Sequence, residues 1–183
     1  MLLINDPWQV SLSTDHPNGG CFWRYPEIIK LLMCADFRNE CMSKLPANIK
    51  SRITLPELDR EYTLYEVATL TSAGPAKALG LKNKGNLGLG CDGDIAVYEQ
   101  RDDVAEMFSY PRYVIKGGEV IIEEGQIRAT PDGSEFLVQP EHDPGIEEFM
   151  RPLFEDQYTM SFDNYSVEME RIENPIMREC DYA

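Results

Sequence analysis

Val10 and Leu12 alternate with Ser11 and Ser13, a period of two that predicts a short strand. Thr14-Asp15-His16 breaks the alternation, and Pro17-Asn18-Gly19-Gly20 forces a turn. Asp15 is therefore expected at the C-terminal end of a strand, the edge at which barrels and open α/β sheets place their chemistry. An Asp before such a turn also serves simply as a turn residue making local hydrogen bonds, so spacing alone leaves both readings open. From Pro26 the period becomes helical. Pro26 suits the first helical position, Glu27 the first turn, and Ile28, Ile29, Leu31, Leu32 and Met33 give a mostly buried helix. Asp36 to Lys44 extends or follows it as a second, polar helix. Strand, turn and covering helix make one β/α unit, which by itself cannot bury both faces of its strand.

Thr63-Leu64-Tyr65-Glu66 has the pattern of a capping box and predicts a helix to about Ser72. Gly74-Pro75 interrupts that helix, and Leu79-Gly80 closes a short second one with Gly past its end. From Gly85 the period returns to two: Gly85, Gly88, Gly90 and Gly93 mark bends before a strand at Ile95-Ala96-Val97-Tyr98. These glycines lead into a strand and lack the Gly-Lys-Ser/Thr ending of a P-loop, so they are read as turns and not as a phosphate cradle. Tyr113–Lys116, Gly117-Gly118 and Glu119–Glu123 form a hairpin signal, with a further short strand at Gln126–Arg128. Gly145–Phe154 reads as a helix. Phe149, Phe154, Tyr158, Phe162 and Tyr165 then give an aromatic tail suited to packing on a neighbouring domain or protein.

Composition narrows the class. With 183 residues, 43% of them apolar, the chain can build a real core. It has no apolar run long enough to span a membrane and no signal-peptide pattern, so no membrane association is expected. Five cysteines, odd in number and without a Cys-x-x-Cys pair, point to reduced thiols and a cytoplasmic setting. Residues 1–60 hold seven Lys/Arg and seven Asp/Glu, which leaves ten against twenty-five in residues 61–183 and puts the whole net charge of −15 there. Such a balance argues against nucleic acid as a partner and suits solubility, or an acidic face toward a basic partner.

Asp6-Pro7-Trp8, Ser13-Thr14-Asp15-His16-Pro17-Asn18-Gly19-Gly20 and Arg24-Tyr25-Pro26 together resemble the A-subunit family of formylmethanofuran dehydrogenases, within the amidohydrolase superfamily. The resemblance continues through Thr63–Ala68, Ser72–Lys77 and Lys84–Tyr98; the last stretch is widespread among amidohydrolases, whereas Asp-His-Pro-Asn-Gly-Gly is specific. It implies an α+β or α/β fragment: the last β/α unit of a (β/α)8 barrel plus most of a C-terminal β-sandwich. The expected division is 1–60 for the final barrel strand, active-site loop and helices, and 61–84 for a helical connection. Residues 85–140 would then be sandwich strands, with one edge open, and 141–183 an acidic, aromatic tail.

By the same resemblance, Asp15 stands where the family's carboxylate after the eighth strand ligates metal and exchanges protons with the bridging hydroxide and leaving amine. His16 would orient Asp15 or touch substrate, and Asn18 would offer amide hydrogen bonds; each has a plain turn reading too. The family uses binuclear zinc held by several histidines and a carboxylated lysine. This chain has only His16 and His142, the latter read as a solvated turn residue, and one plausible barrel strand where a barrel takes ~250 residues. The missing N-terminal barrel portion is thus an implied partner, as are the other formylmethanofuran dehydrogenase subunits, one carrying a molybdenum or tungsten pterin. Formate and methanofuran are the implied substrates, in methanogenic or related archaea or in a similar bacterial formyltransferase/hydrolase complex. The alternatives are another amidohydrolase of dihydroorotase or hydantoinase type, and a noncatalytic module that binds a partner through its acidic face and tail.

Overall fold

The computed structural model describes residues 1–53, 58–139, 143–164, 172 and 175–179. The chain divides into two compact units, Met1–Thr130 and Pro131–Ala183.

In the first unit, α1 (Tyr25–Met33) begins at the expected proline and buries Ile29 and Leu32. Cys34 ends it and opens α2 (Ala35–Ser43), its sulfur accepting from the Phe37 N–H at 3.4 Å. The predicted polar helix is therefore present, but it carries a buried cation. Arg38 is only 4% exposed. Its guanidinium donates to the carbonyls of Leu31 (2.8 Å), Leu58 (2.7 Å) and Arg60 (3.0 Å), so one side chain satisfies a carbonyl in the last turn of α1 and two in the segment that returns to it. A short α3 (Ala47–Lys50) follows.

The capping box forms as the sequence predicts. Thr63 Oγ1 accepts from the Glu66 N–H at 3.2 Å, and Glu66 accepts from the Thr63 N–H at 2.8 Å, opening α4 (Leu64–Ala68). The predicted run to Ser72 is not α-helical throughout: Thr69–Ala73 forms a π-helical turn before α5 (Gly74–Ala78). The physical reason is Pro75. The Gly74 N–H bonds to the Thr69 carbonyl, and Pro75 has no N–H to offer, so the Leu70 carbonyl is released from the helix. It accepts instead from the Leu12 N–H at 3.1 Å. Leu70 is fully buried, and with Leu2, Ile29, Leu32, Tyr62 and Val67 it forms the core, against which Leu12, Met33, Leu58, Val104 and Phe108 pack.

Beyond α5, β1 (Ile95–Val97), β2 (Tyr113–Lys116), β3 (Glu119–Glu123) and β4 (Gln126–Ile127) make an antiparallel sheet in chain order. The Gly117-Gly118 turn has φ of 58° and 86°, the left-handed pair a two-residue hairpin needs. Between β1 and β2 lies α6 (Val104–Ser109), which the apolar pattern did not single out. Asp103 caps it, accepting from Ala105 and Glu106 N–H at 2.8 and 3.1 Å, and also pairs with Lys30 of α1 at 2.5 Å.

In the second unit, β5 (Glu135–Gln139) and β6 (Pro175–Glu179) pair in parallel, and α7 (Ile146–Gln157) covers the predicted helix. Phe154 stacks on Tyr158 at 4.6 Å and meets Phe162 edge-on at 5.5 Å, so part of the aromatic tail packs on itself. Phe149 stays 68% exposed. Tyr165, His142 and Cys180 lie outside the described residues.

Replacing Arg38 with Met should lower unfolding free energy by roughly 2–4 kcal/mol, because three part-buried carbonyls lose their donor. Urea denaturation checks this; a variant as stable as the parent would mean that water reaches those carbonyls.

Candidate functional site

Residues 10–13, whose alternation predicts a strand, belong to no sheet among the described residues. Val10 is extended (φ −135°, ψ 149°), but a strand needs a neighbour for its hydrogen bonds, and here the Leu12 N–H finds the Leu70 carbonyl. Thr14 is buried. This holds the start of the following loop on the core.

At Asp15 the backbone turns left-handed, with φ of 50°, rare for a residue with a side chain. The Asp15 N–H donates to Ser13 Oγ at 3.2 Å, and the Gly19 N–H donates to the Asp15 carbonyl at 2.8 Å, closing the turn. The His16-Pro17 peptide within it is cis. Asp15, His16 and Asn18 are all solvent-exposed on this one turn. The His16 ring packs edge-on against Phe22 (5.0 Å) and Trp23 (6.2 Å), themselves 5.4 Å apart. Phe22 and Trp23 are 57% and 65% exposed, an aromatic shelf next to the turn that alternation patterns could not reveal.

A second charged cluster lies where the Gly-rich segment meets the hairpin. Asp94 accepts from Lys116 (2.6 Å), Lys84 (2.7 Å) and the Gly117 N–H (2.9 Å), and Lys84 also pairs with Asp92 at 2.7 Å. The hydrogen bonds from Lys116 and Lys84 hold the Asp94 carboxyl well below the usual carboxylate range. Asp92 and Asp94 in turn push the Lys84 ammonium well above its ordinary value. Both charges are thus saturated by each other, and the cluster's work is to tie β1 to the hairpin turn. The sequence shows the residues as a motif; their pairing is a tertiary fact.

Beside this cluster runs an apolar groove of about 860 Å³, walled by Trp8, Leu12, Leu64, Tyr65, Leu87 and Ile95. Asp15, His16 and Asn18 do not line it. Among the described residues, no group of three or more His, Cys, Asp or Glu could hold a metal ion, so these residues do not by themselves fit a binuclear zinc centre. Cys21, Cys34, Cys41 and Cys91 are free thiols. No helix of the described residues is long and apolar enough to cross a membrane.

A family model described as "Amidohydrolase family" matches residues 1–122. Among curated proteins, the chain is 40% identical over 167 residues to the A component of the formyltransferase/hydrolase complex Fhc of Methylorubrum extorquens, covering 91% of this chain and 30% of that protein. It is 36% identical over 174 residues to Protein FwdA of Methanocaldococcus jannaschii, covering 87% of this chain and 30% of that one. Among solved structures, a chain of the M. extorquens formyltransferase/hydrolase complex FhcABCD, crystallised with methylofuran, superposes with a TM-score of 0.83 at 37% identity. That superposition covers 99% of this chain and 34% of the other. The chain therefore spans about a third of the length of these relatives.

The Asp94 carboxylate stabilises the fold fully above its ordinary value of 3.8, and the contribution is lost as pH falls from there through the depressed folded value. Asp94→Asn should lower the thermal midpoint at pH 7 and flatten its decline below pH 4. Parallel acid limbs for the two proteins in a melting series would show that the pairing contributes nothing to folding.

Proposed function

The chain belongs to the amidohydrolase family, and from that premise we propose that it is the C-terminal part of an FhcA- or FwdA-like polypeptide that makes or hydrolyses a formyl amide of a carrier amine. The observation that carries this reading is the Asp15 turn. It combines the family-specific sequence with a carboxylate held in a left-handed conformation and exposed to solvent. Strained backbone of this kind persists where surrounding structure over-determines it, and it concentrates at functional sites. The names of two relatives support this substrate class: one is the A component of a formyltransferase/hydrolase complex, and the other is a structure of that complex with methylofuran.

In this reading Asp15 is the proton carrier. Hydrolysis of a formyl amide adds water to the formyl carbon and breaks its C–N bond, giving formate and the free amine. A carboxylate beside the reacting carbon accepts the proton of the attacking water and returns it to the departing nitrogen. His16, packed on Phe22 and Trp23, and Asn18 would contact the substrate from the same turn. In this reading Asp15 would also be a ligand of a zinc centre, to which the described residues contribute no cluster of their own. The histidines and carboxylated lysine would come from the barrel portion of the protein.

With the rest of the barrel in place, residues 10–14 would become its last strand, and the sheet β1–β4 would be one part of a sandwich. The apolar groove, whose wall includes Ile95 and Ala96 of the edge strand β1, would receive that remaining polypeptide. The redox cofactor would reside on another protein of the complex.

Asp15→Asn in the native assembly, assayed by formate release from a formylated carrier amine, should lower kcat by about 10³-fold. Unchanged turnover would remove Asp15 from the chemistry and favour a noncatalytic role for this segment.

A further inference from the structure

The turn that carries Asp15 is closed by close packing as well as by hydrogen bonds. Gly19 lies so near the preceding residues that a Cβ built on it would stand 2.9 Å from the Thr14 carbonyl oxygen, 3.0 Å from the Asp15 Cβ and 3.4 Å from the Asp15 Oδ2. The first two are fixed parts of the turn and cannot swing aside as the tip of a long side chain does. Gly19 does not itself adopt a positive φ. What the turn uses at position 19 is therefore the missing side chain and not glycine's conformational range. The adjacent Gly20 is different: its Cβ would meet the Thr14 carbonyl oxygen at 3.5 Å and the Thr14 Cβ at 3.9 Å, ordinary van der Waals contacts. From the other side, Ser13 Oγ accepts the Asp15 N–H at 3.2 Å, fixing the peptide plane that enters the left-handed residue.

We propose that Gly19 and Ser13 are positioning residues for the Asp15 carboxylate. The bare Cα of Gly19 sets how close the carboxylate lies to the turn, and the Ser13 hydroxyl fixes the backbone from which it projects. A methyl group at position 19 must push apart the Thr14 carbonyl and the Asp15 Cβ, and so displaces the carboxylate from its place on the turn. The proposal rests on the reading of Asp15 as the proton carrier.

The test compares Gly19→Ala, Gly20→Ala, Ser13→Ala and Asp15→Asn in the native assembly, with formate release, the pH profile of kcat, thermal midpoint and zinc content measured for each. Gly19→Ala should lower kcat by ten- to about 100-fold, keep KM within about twofold and shift the pH limb of kcat. Ser13→Ala should move kcat and the pH limb the same way by a smaller factor. Gly20→Ala should match the parent in every readout. If Gly19→Ala and Ser13→Ala match the parent while Asp15→Asn is inactive, the positioning role is wrong and the proton-carrier reading stands. If Asp15→Asn is fully active, the reading beneath the proposal is wrong. Should Gly19→Ala fail to assemble, Ser13→Ala decides: an unshifted pH limb at full kcat overturns the proposal.

Discussion

The hydrogen bond from the Leu12 N–H to the Leu70 carbonyl is the tie on which the candidate site depends. It exists because Pro75 cannot donate. With the Gly74 N–H engaged by Thr69, no helical donor remains for Leu70, and a carbonyl at the centre of the core would be left without a partner. The segment preceding Asp15 supplies the missing N–H, so the π-helical turn and the Asp15 loop satisfy each other. Leu70 brings the apolar contact and its carbonyl the polar one, and the loop is seated on a side chain that is fully buried.

Charge plays a different part at each place. Around Arg38, one cation replaces the water that three carbonyls would otherwise need, and its burial makes it a structural group despite its position on a polar helix. Around Asp94, two lysines and a backbone N–H neutralise a carboxylate where the Gly-rich segment crosses the hairpin turn. Asp15 lies on an exposed turn, shaped by its own backbone hydrogen bonds.

The first unit exposes apolar side chains and a sheet edge. Leu64, Tyr65 and Leu87 are 56%, 67% and 76% exposed around the apolar groove, and β1 leaves one edge of its sheet unpaired among the described residues. The two curated relatives are about three times as long as this chain, and the function proposed above assigns these surfaces to the additional polypeptide.

Much of the local structure was legible from the residues alone: α1 from Pro26 and its apolar spacing, the Thr63–Glu66 capping box, the Gly117-Gly118 hairpin and the turn after Asp15. Each depends on near neighbours in the chain, so the pattern that encodes it lies within one short window. α6 was passed over because it is six residues long and its signal is a cap, Asp103, with little periodicity to follow. Tertiary structure decided the rest. It turned an expected strand at 10–13 into an extended segment bonded to Leu70, since a strand is defined by a neighbour that its own sequence does not contain. It buried Arg38, paired Asp94 with Lys84 and Lys116, and brought Gly19 against the Asp15 side chain, because only a folded backbone fixes which groups have left water together. The sequence by itself determined where the chain turns and what family it resembles; the fold determined which carbonyls, charges and bare Cα atoms those turns must meet.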